Sequence, residues 1–251
     1  MTASCWGVVV AAGRGERFGS DRPKALLELA GTALVVHAVR ALREGGCSGI
    51  VIAAAADVVS VVAGLLRGSE VSDAVPLTQS DDDVPGLPSA HDVLVVGGGA
   101  TRQASVRAAL AVVPDDARWV LIHDAARPLV SASVVAAVVA TLEAGAPAVI
   151  PVLPVIDTIK SVNAAGEITA TVDRSGLYRA QTPQGFERAL LVRALDQAVR
   201  RAKDVTDDAA AVAALGVLVT TVPGDERGMK ITTPADLITA EALLAAAEFR
   251  R

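Results

Sequence analysis

Trp6-Gly7-Val8-Val9-Val10-Ala11-Ala12-Gly13-Arg14-Gly15-Glu16-Arg17-Phe18-Gly19 opens the chain, and its reading decides the fold. Trp6–Ala12 is a β-rich run without charge, the pattern of a buried strand, and it ends in glycines. The glycines nearly spell GxGxxG, but Phe18 stands at the third glycine position. A dinucleotide fingerprint needs a small residue there for close helix–strand packing. No GxxxxGK[ST] follows either, so the loop is not a P-loop. What remains is a glycine-rich strand end carrying Arg17, with Lys24 seven residues on, after Pro23. Glycines let backbone N–H groups approach phosphate oxygens, and cations neutralise the charge. A plain βα turn with solvated charges would give the same local pattern.

Outward from this loop, short apolar runs alternate with helical patterns. Strands are predicted at Gly49–Ala55, Asp92–Val96, Arg118–His123, Ala148–Leu153 and Val217–Val222, with a short one at Met229–Thr232. Helices are predicted at Thr32–Glu44, Asp57–Leu66, Thr101–Val112, Ser131–Ala144, Phe186–Arg201, Thr206–Leu215 and Pro234–Glu248. Such alternation predicts an α/β, Rossmann-like fold with a mainly parallel sheet flanked by helices. Ser72–His91 reads as a surface loop. Asp157–Val162 and Glu167–Val172 alternate in β fashion around Asn163-Ala164-Ala165-Gly166, which predicts a protruding hairpin. A two-stranded arm is marginal by itself and gains from packing on a partner subunit. We expect a single domain over 1–251, with the arm at about 154–176.

Composition narrows the function. The net charge is −5, which disfavours a nucleic-acid binder but allows a local basic pocket. Mean hydropathy is +0.46, yet the most apolar stretch, Val134–Ile156, holds Pro147, Pro151 and Pro154, which argues against a spanning helix. Cys5 and Cys47 show no metal-ligand spacing and read as reduced thiols of a cytoplasmic protein. No signal-peptide pattern opens the chain. His37, His91 and His123 read as hydrogen-bonded structural residues, neither bases nor ligands.

Four segments in order carry a resemblance. Ala11-Ala12-Gly13-x-Gly15-x-Arg17 with Pro23-Lys24 resembles the opening of the sugar nucleotidylyltransferases. Gly98-Gly99-Ala100-Thr101-Arg102-Gln103-Ala104-Ser105 is similar to a GGxxRxxS segment of that group. His123-Asp124-Ala125-Ala126-Arg127-Pro128 resembles the HDAARP motif of the 2-C-methyl-D-erythritol 4-phosphate cytidylyltransferases. Val172-Asp173-Arg174 with Gln181-Thr182-Pro183-Gln184 is similar to that family's VDR…TPQ segment. The resemblance runs from about Trp6 to the last helix.

It implies attack by a sugar-alcohol phosphate on the α-phosphorus of CTP, with pyrophosphate leaving. It assigns catalysis to Arg17, Lys24 and Lys230. Ala11, Ala12, Gly13, Gly15, Gly98, Gly99, Arg102 and Ser105 would bind the nucleotide. Asp124, Arg127, Thr158, Arg174 and Thr206 would bind the substrate, with Thr158 and Arg174 reaching across a homodimer. Mg²⁺ would be the cofactor, with Asp124 as a ligand. Two positions depart from the family pattern. Arg227 stands where an acidic residue is frequent, leaving Asp225 or Glu226 as the candidate second ligand, and Ala100 stands where an aspartate is frequent. A ribitol 5-phosphate cytidylyltransferase is the nearest alternative. A catalytically dead nucleotide-binding protein predicts loss of the cations, which are all present. No fused cyclase is expected, and neither nucleic acid nor membrane as a partner.

Overall fold

The computed structural model describes residues 4–13, 15, 18, 23–69, 74–76, 93–202, 205 and 207–248. The chain begins with β1 (Cys5–Ala11), a 3-10 turn (Lys24–Leu26), and a small antiparallel pair, β2 (Glu28–Leu29) and β3 (Thr32–Ala33). α1 (Leu34–Glu44), β4 (Gly49–Ala54), α2 (Val59–Arg67), β5 (Ala74–Pro76), β6 (Val93–Gly97), α3 (Arg102–Leu110), β7 (Trp119–Asp124) and α4 (Ala132–Glu143) follow. Then come β8 (Ala148–Pro154), the arm strands β9 (Ile159–Val162) and β10 (Ile168–Val172), β11 (Tyr178–Ala180) and β12 (Gln184–Glu187). α5 (Arg188–Arg200), α6 (Asp208–Ala213), β13 (Thr220–Pro223) and α7 (Pro234–Glu248) complete the order.

β1 is central, paired in parallel with β4 on one edge and β7 on the other. β6 and β5 extend the sheet beyond β4. On the far side β12 runs antiparallel between β7 and β8. Val149 pairs with Gly185 of β12 and with Thr220 of β13, so β13 lies on the opposite edge of β8. Among the described strands of the main sheet β11 and β12 run against the common direction, and the expected α/β class with a mostly parallel sheet holds.

Strand periodicity explains the two cores. Cys5, Val9 and Ala11 of β1 join Ile50, Ile52 and Val95 on the face covered by α1, α2 and α4. Trp6 and Val8 join Val51, Ala53 and Leu94 on the face covered by α3, α5 and α6. Each face is dry: Leu42, Ile52, Leu121 and Leu191 have no exposure. Truncating any of these to alanine costs about 2–5 kcal/mol. A third cluster seats α7 through Ala240 on Leu29, Leu34, Leu129 and Ile231.

Two sequence expectations are corrected. Phe186 does not start a helix: Gln184–Glu187 is a buried strand, and α5 begins at Arg188. Four residues are too few for a period-2 signal, and the strand is decided by its partners on β7 and β8. Met229–Thr232 forms no strand; its Ile231 N–H donates to the Ala126 carbonyl (2.8 Å), a turn beside β7. The expected Ser72–His91 loop lies largely outside the described residues.

A hairpin forms in the segment read as an arm, over Ile159–Val162 and Ile168–Val172. Among the described residues β9 and β10 pair with each other and with no strand of the main sheet. Asn163 shapes the turn, its Oδ1 accepting from the N–H of Ala165 (3.0 Å) and Glu167 (2.9 Å). Gly166 there has φ +84°, a conformation glycine adopts without cost.

Candidate active site

Parallel pairing brings strand ends into one row. Val10 registers with Asp124, Ala11 with Ala54, and Ala54 with Gly97. Open α/β sheets bind ligands beyond such carboxyl ends. A cleft of about 280 Å³ opens there, lined by Ala11, Ala12, Gly13, Gly15, Lys24, Gly99, Arg102, Ser105, Asp124 and Lys230. A wider groove of about 690 Å³ continues from it past Gly98, Gly99, Lys24 and Asp57.

The wall built by residues 98–105 is a helix entrance. Thr101 caps α3, its Oγ1 accepting from the Ala104 N–H (3.1 Å). Buried Ser105 accepts from the Gly99 N–H (3.2 Å) and donates to the Thr101 carbonyl (3.0 Å). Gly98 is needed because a Cβ there would run into Ala12 and Ser105. Across the cleft Gly15 has φ +74°, which brings the backbone close over Lys24. Both walls are therefore small side chains and backbone, wide enough for a flat ring.

Charge collects on the floor. Lys230 Nζ donates to Asp124 Oδ2 (2.7 Å), and Arg102 Nε donates to Asp124 Oδ1 (3.3 Å). Arg102 Nη1 also donates to Asp208 Oδ2 (2.7 Å). Burial alone would raise the Asp124 carboxyl, but Arg102 and Lys230 outweigh it and hold it well below the usual carboxylate range. Burial pushes the Asp208 carboxyl up in spite of Arg102. Burial works against the Arg102 guanidinium as well, yet Asp208 and Asp124 together raise its pKa.

Neighbouring residues hold this floor in place. His123 is fully buried; its Nε2–H donates to the Arg127 carbonyl (3.2 Å), so Nδ1 accepts from the Thr182 hydroxyl (3.0 Å). That hydroxyl in turn accepts the Asp124 N–H (3.1 Å). Burial, against the pull of Asp124, lowers the His123 pKa to about 4, so the ring is neutral and structural, as read from the sequence. Arg127 grips backbone: Nη1 donates to the Gly228 carbonyl (2.7 Å) and Nη2 to the Ala180 carbonyl (3.3 Å). Gln181 closes a two-point clamp on Asp225, donating to its carbonyl (2.8 Å) and accepting its N–H (3.1 Å). Arg127 and Gln181 thus pin the turn that delivers Lys230.

Of the residues singled out by sequence, Ala11, Ala12, Gly13, Gly15, Lys24, Gly99, Arg102, Ser105, Asp124 and Lys230 meet at one cleft, with Gly98 on its continuation. Arg127 lies behind the floor. Arg17 and Thr206 lie outside the described residues. Thr158 and Arg174 are exposed near the arm, and neither is among the described residues lining the cleft. Asp225 caps the turn before Lys230 through the Arg227 N–H (2.9 Å), and Glu226 pairs with Arg179 (2.6 Å). Among the described residues no three His, Cys, Asp or Glu side chains gather as a metal cage. No helix of the described residues is long and apolar enough to cross a membrane. Asp208, Gln181 and Thr182 were not foreseen as site residues; their only local signal was the polar Thr-Asp-Asp and Gln-Thr-Pro-Gln runs.

Comparison with known proteins places this geometry. The family model described as IspD, 2-C-methyl-D-erythritol 4-phosphate cytidylyltransferase, matches residues 5–246. The chain is 48% identical over 244 residues to the 2-C-methyl-D-erythritol 4-phosphate cytidylyltransferase of Saccharopolyspora erythraea, covering 95% of this chain and 98% of that one. It is 46% identical over 241 residues to the protein of that name from Frankia casuarinae, covering 95% and 80%. The crystal structure of the Thermus thermophilus enzyme of the same name is similar at 33% identity and a TM-score of 0.71, covering 97% and 98%.

Proposed function

Because the chain belongs to the 2-C-methyl-D-erythritol 4-phosphate cytidylyltransferase family, we propose that its cleft holds CTP above the Asp124 floor and that the substrate phosphate attacks there. It is a nucleotidyltransferase of isoprenoid precursor synthesis, converting CTP and 2-C-methyl-D-erythritol 4-phosphate to 4-diphosphocytidyl-2-C-methyl-D-erythritol and pyrophosphate. The ribitol phosphate alternative is not favoured, since the family model and these relatives carry the methylerythritol name.

In the reaction an oxygen of the sugar-alcohol phosphate forms a bond to the α-phosphorus. The bridging oxygen between α and β phosphorus leaves with pyrophosphate. The nucleophile is already ionised, so positioning and charge neutralisation are the demands on the protein. Lys24 and Lys230 both line the cleft, and with Arg17 they would neutralise the triphosphate and the charge that develops on the leaving group. The walls of Ala11, Ala12, Gly13, Gly98, Gly99 and Ser105 suit a flat cytosine edge met by backbone groups. Arg127 would face the substrate side only through the turn it pins. The observation that carries the reading is the pairing of Lys230 and Arg102 on one carboxylate beside the glycine loop.

Mg²⁺ fits the donor chemistry. Asp124 offers a hard carboxylate on the cleft floor, and Mg²⁺ commonly takes one or two carboxylates with phosphates and waters completing its shell. The ion would polarise the phosphates; Lys230 would release Oδ2 to admit it. Asp225 and Glu226 are engaged elsewhere, so Asp124 would be the protein's ligand in this arrangement.

The chain would act as a homodimer, as one nucleotidyltransferase domain over 1–251 with the arm at about 154–176. The exposed apolar residues Ile156, Val162, Ile168 and Tyr178 on and beside the arm support a partner surface. Thr158 and Arg174 would then serve the partner's site, Arg174 gripping the substrate phosphate in two-point fashion. Thr206 would join the substrate side. The free, buried thiols Cys5 and Cys47 support a reducing cytoplasmic compartment.

Pyrophosphate release with Mg²⁺ tests the reading. Turnover is expected with CTP and 2-C-methyl-D-erythritol 4-phosphate, and not with ATP, GTP, UTP or ribitol 5-phosphate in place of either substrate. Turnover with ribitol 5-phosphate alone would move the chain to that specificity.

A further inference from the structure

We propose that Asp208 is a positioning residue for nucleotide binding: it tethers Arg102 so that the guanidinium stays on the cleft wall and does not turn fully onto Asp124. The inference rests on the CTP reading above. Four charges form one chain across the floor, in the order Asp208, Arg102, Asp124, Lys230. The two ends of the chain differ most in exposure, and within each pair the carboxylate is the more buried group. Asp208 shows 1% of its side chain, Asp124 12%, Arg102 29% and Lys230 41%. Arg102, Asp124 and Lys230 line the cleft, whereas Asp208 stands behind Arg102.

Asp208 is not required for docking its own helix. Asp207 caps α6 through the Ala210 N–H (2.9 Å). Gln184 ties α6 to β12, donating to Asp207 Oδ2 (2.9 Å) and accepting the Ala209 N–H (3.1 Å). Ala209, Ala211 and Val212 bury the apolar face. A carboxylate buried this deeply is costly unless paired, and the partner it meets is Arg102. Arg102 needs that anchor. Its contact to Asp124 is the longer one, at 3.3 Å against 2.7 Å to Asp208, and Asp124 is shared with Lys230. Without Asp208, Arg102 would turn fully onto Asp124, and its guanidinium would leave the wall formed by Gly99 and Ser105.

CTP affinity by calorimetry and steady-state KM values for both substrates decide the matter. Asp208→Asn is expected to weaken CTP binding and raise the CTP KM by roughly tenfold, within the coupling range of one charge network. The KM for the sugar phosphate should move less than that for CTP, since Arg102 lines the cleft assigned to CTP. In an Arg102→Ala background, Asp208→Asn should add no further loss. It should instead raise the melting temperature, because the substitution removes a buried charge that Arg102→Ala leaves unpaired. Wild-type CTP affinity in Asp208→Asn, or two losses that simply multiply, would overturn the proposal. If Asp208→Asn alone does not fold, the double variant decides: a folded protein with the CTP affinity of Arg102→Ala supports the tether, and an unfolded one makes Asp208 a fold residue. Wild-type protein silent with CTP would sink the family reading, not this one alone.

Discussion

The cleft and the arm are built on opposite plans. In the cleft the charged groups are linked within one chain: the Asp124 carboxylate accepts from both Arg102 and Lys230, and Arg102 meets two carboxylates. On the arm, Lys160 reaches Thr171 (2.6 Å) in the open, Arg174 makes one long contact to the Val155 carbonyl (3.5 Å), and apolar side chains face outward. A group held from several sides costs little to reorganise when charge develops, which is what transition-state stabilisation needs. A strand pair with apolar residues on its surface is marginal until another surface covers it. The contrast teaches that the cleft's charge network is already assembled in one chain, whereas the hairpin leaves apolar side chains open to solvent.

The largest expected effect breaks the cleft. Lys230→Ala should lower kcat by roughly 10²–10³-fold with the fold unchanged by circular dichroism, as loss of one stabilising donor does elsewhere. Near-wild-type turnover would detach the Lys230–Asp124 pair from chemistry.

Acid should reach the cleft from behind. His123 titrates at about 4 in the folded chain against an ordinary 6.5, because burial disfavours its charge. The unfolded chain therefore takes up a proton that the folded one refuses as pH falls from 6.5 to 4. Up to about 3 kcal/mol of stability, present above 6.5, is lost across that window. Asp124, held low by Arg102 and Lys230, adds a loss of the same sign below the ordinary carboxylate range. Urea midpoints at pH 7 and pH 5 measure this; a flat profile for wild type, or an unchanged slope in His123→Gln, would contradict it.

The arm is tested next. Val162→Asp with Ile168→Asp should give a monomer by light scattering, and Arg174→Ala should raise the KM for the sugar phosphate by roughly 10–100-fold, the loss of a charge-assisted contact. A dimer that survives the first, or a shift confined to the KM for CTP in the second, would erase the distinction between the two regions. The smallest effect belongs to the exposed pair of Arg179 and Glu226, half or more open to water on both sides. Arg179→Ala should change stability by less than about 1 kcal/mol, read from the same urea midpoints.

Legibility followed distance along the chain. The hairpin was readable because Asn163 and Gly166 write its turn locally. Asp124 was readable as a strand-end carboxylate, and Thr101 as the opening of α3. β12 was not, since its residues carry no period and its order comes from β7 and β8. Asp208 read as part of a helix start, because its partner Arg102 is 106 residues away. Gln181 meets Asp225 across 44 residues, and nothing local announces that clamp.

The sequence by itself determined the alternation of buried strands and helices, the hairpin turn at Asn163–Gly166, and the carboxylate at the end of β7. These are short-range matters of period, turn chemistry and residue type. The tertiary structure alone decided which carboxylate each cation meets, that Asp208 lies buried behind Arg102, and that Arg127 spends its donors on backbone. Those outcomes depend on where parallel strands end relative to one another. That register is a property of the assembled sheet, set by packing on both faces, and no segment of chain encodes it alone.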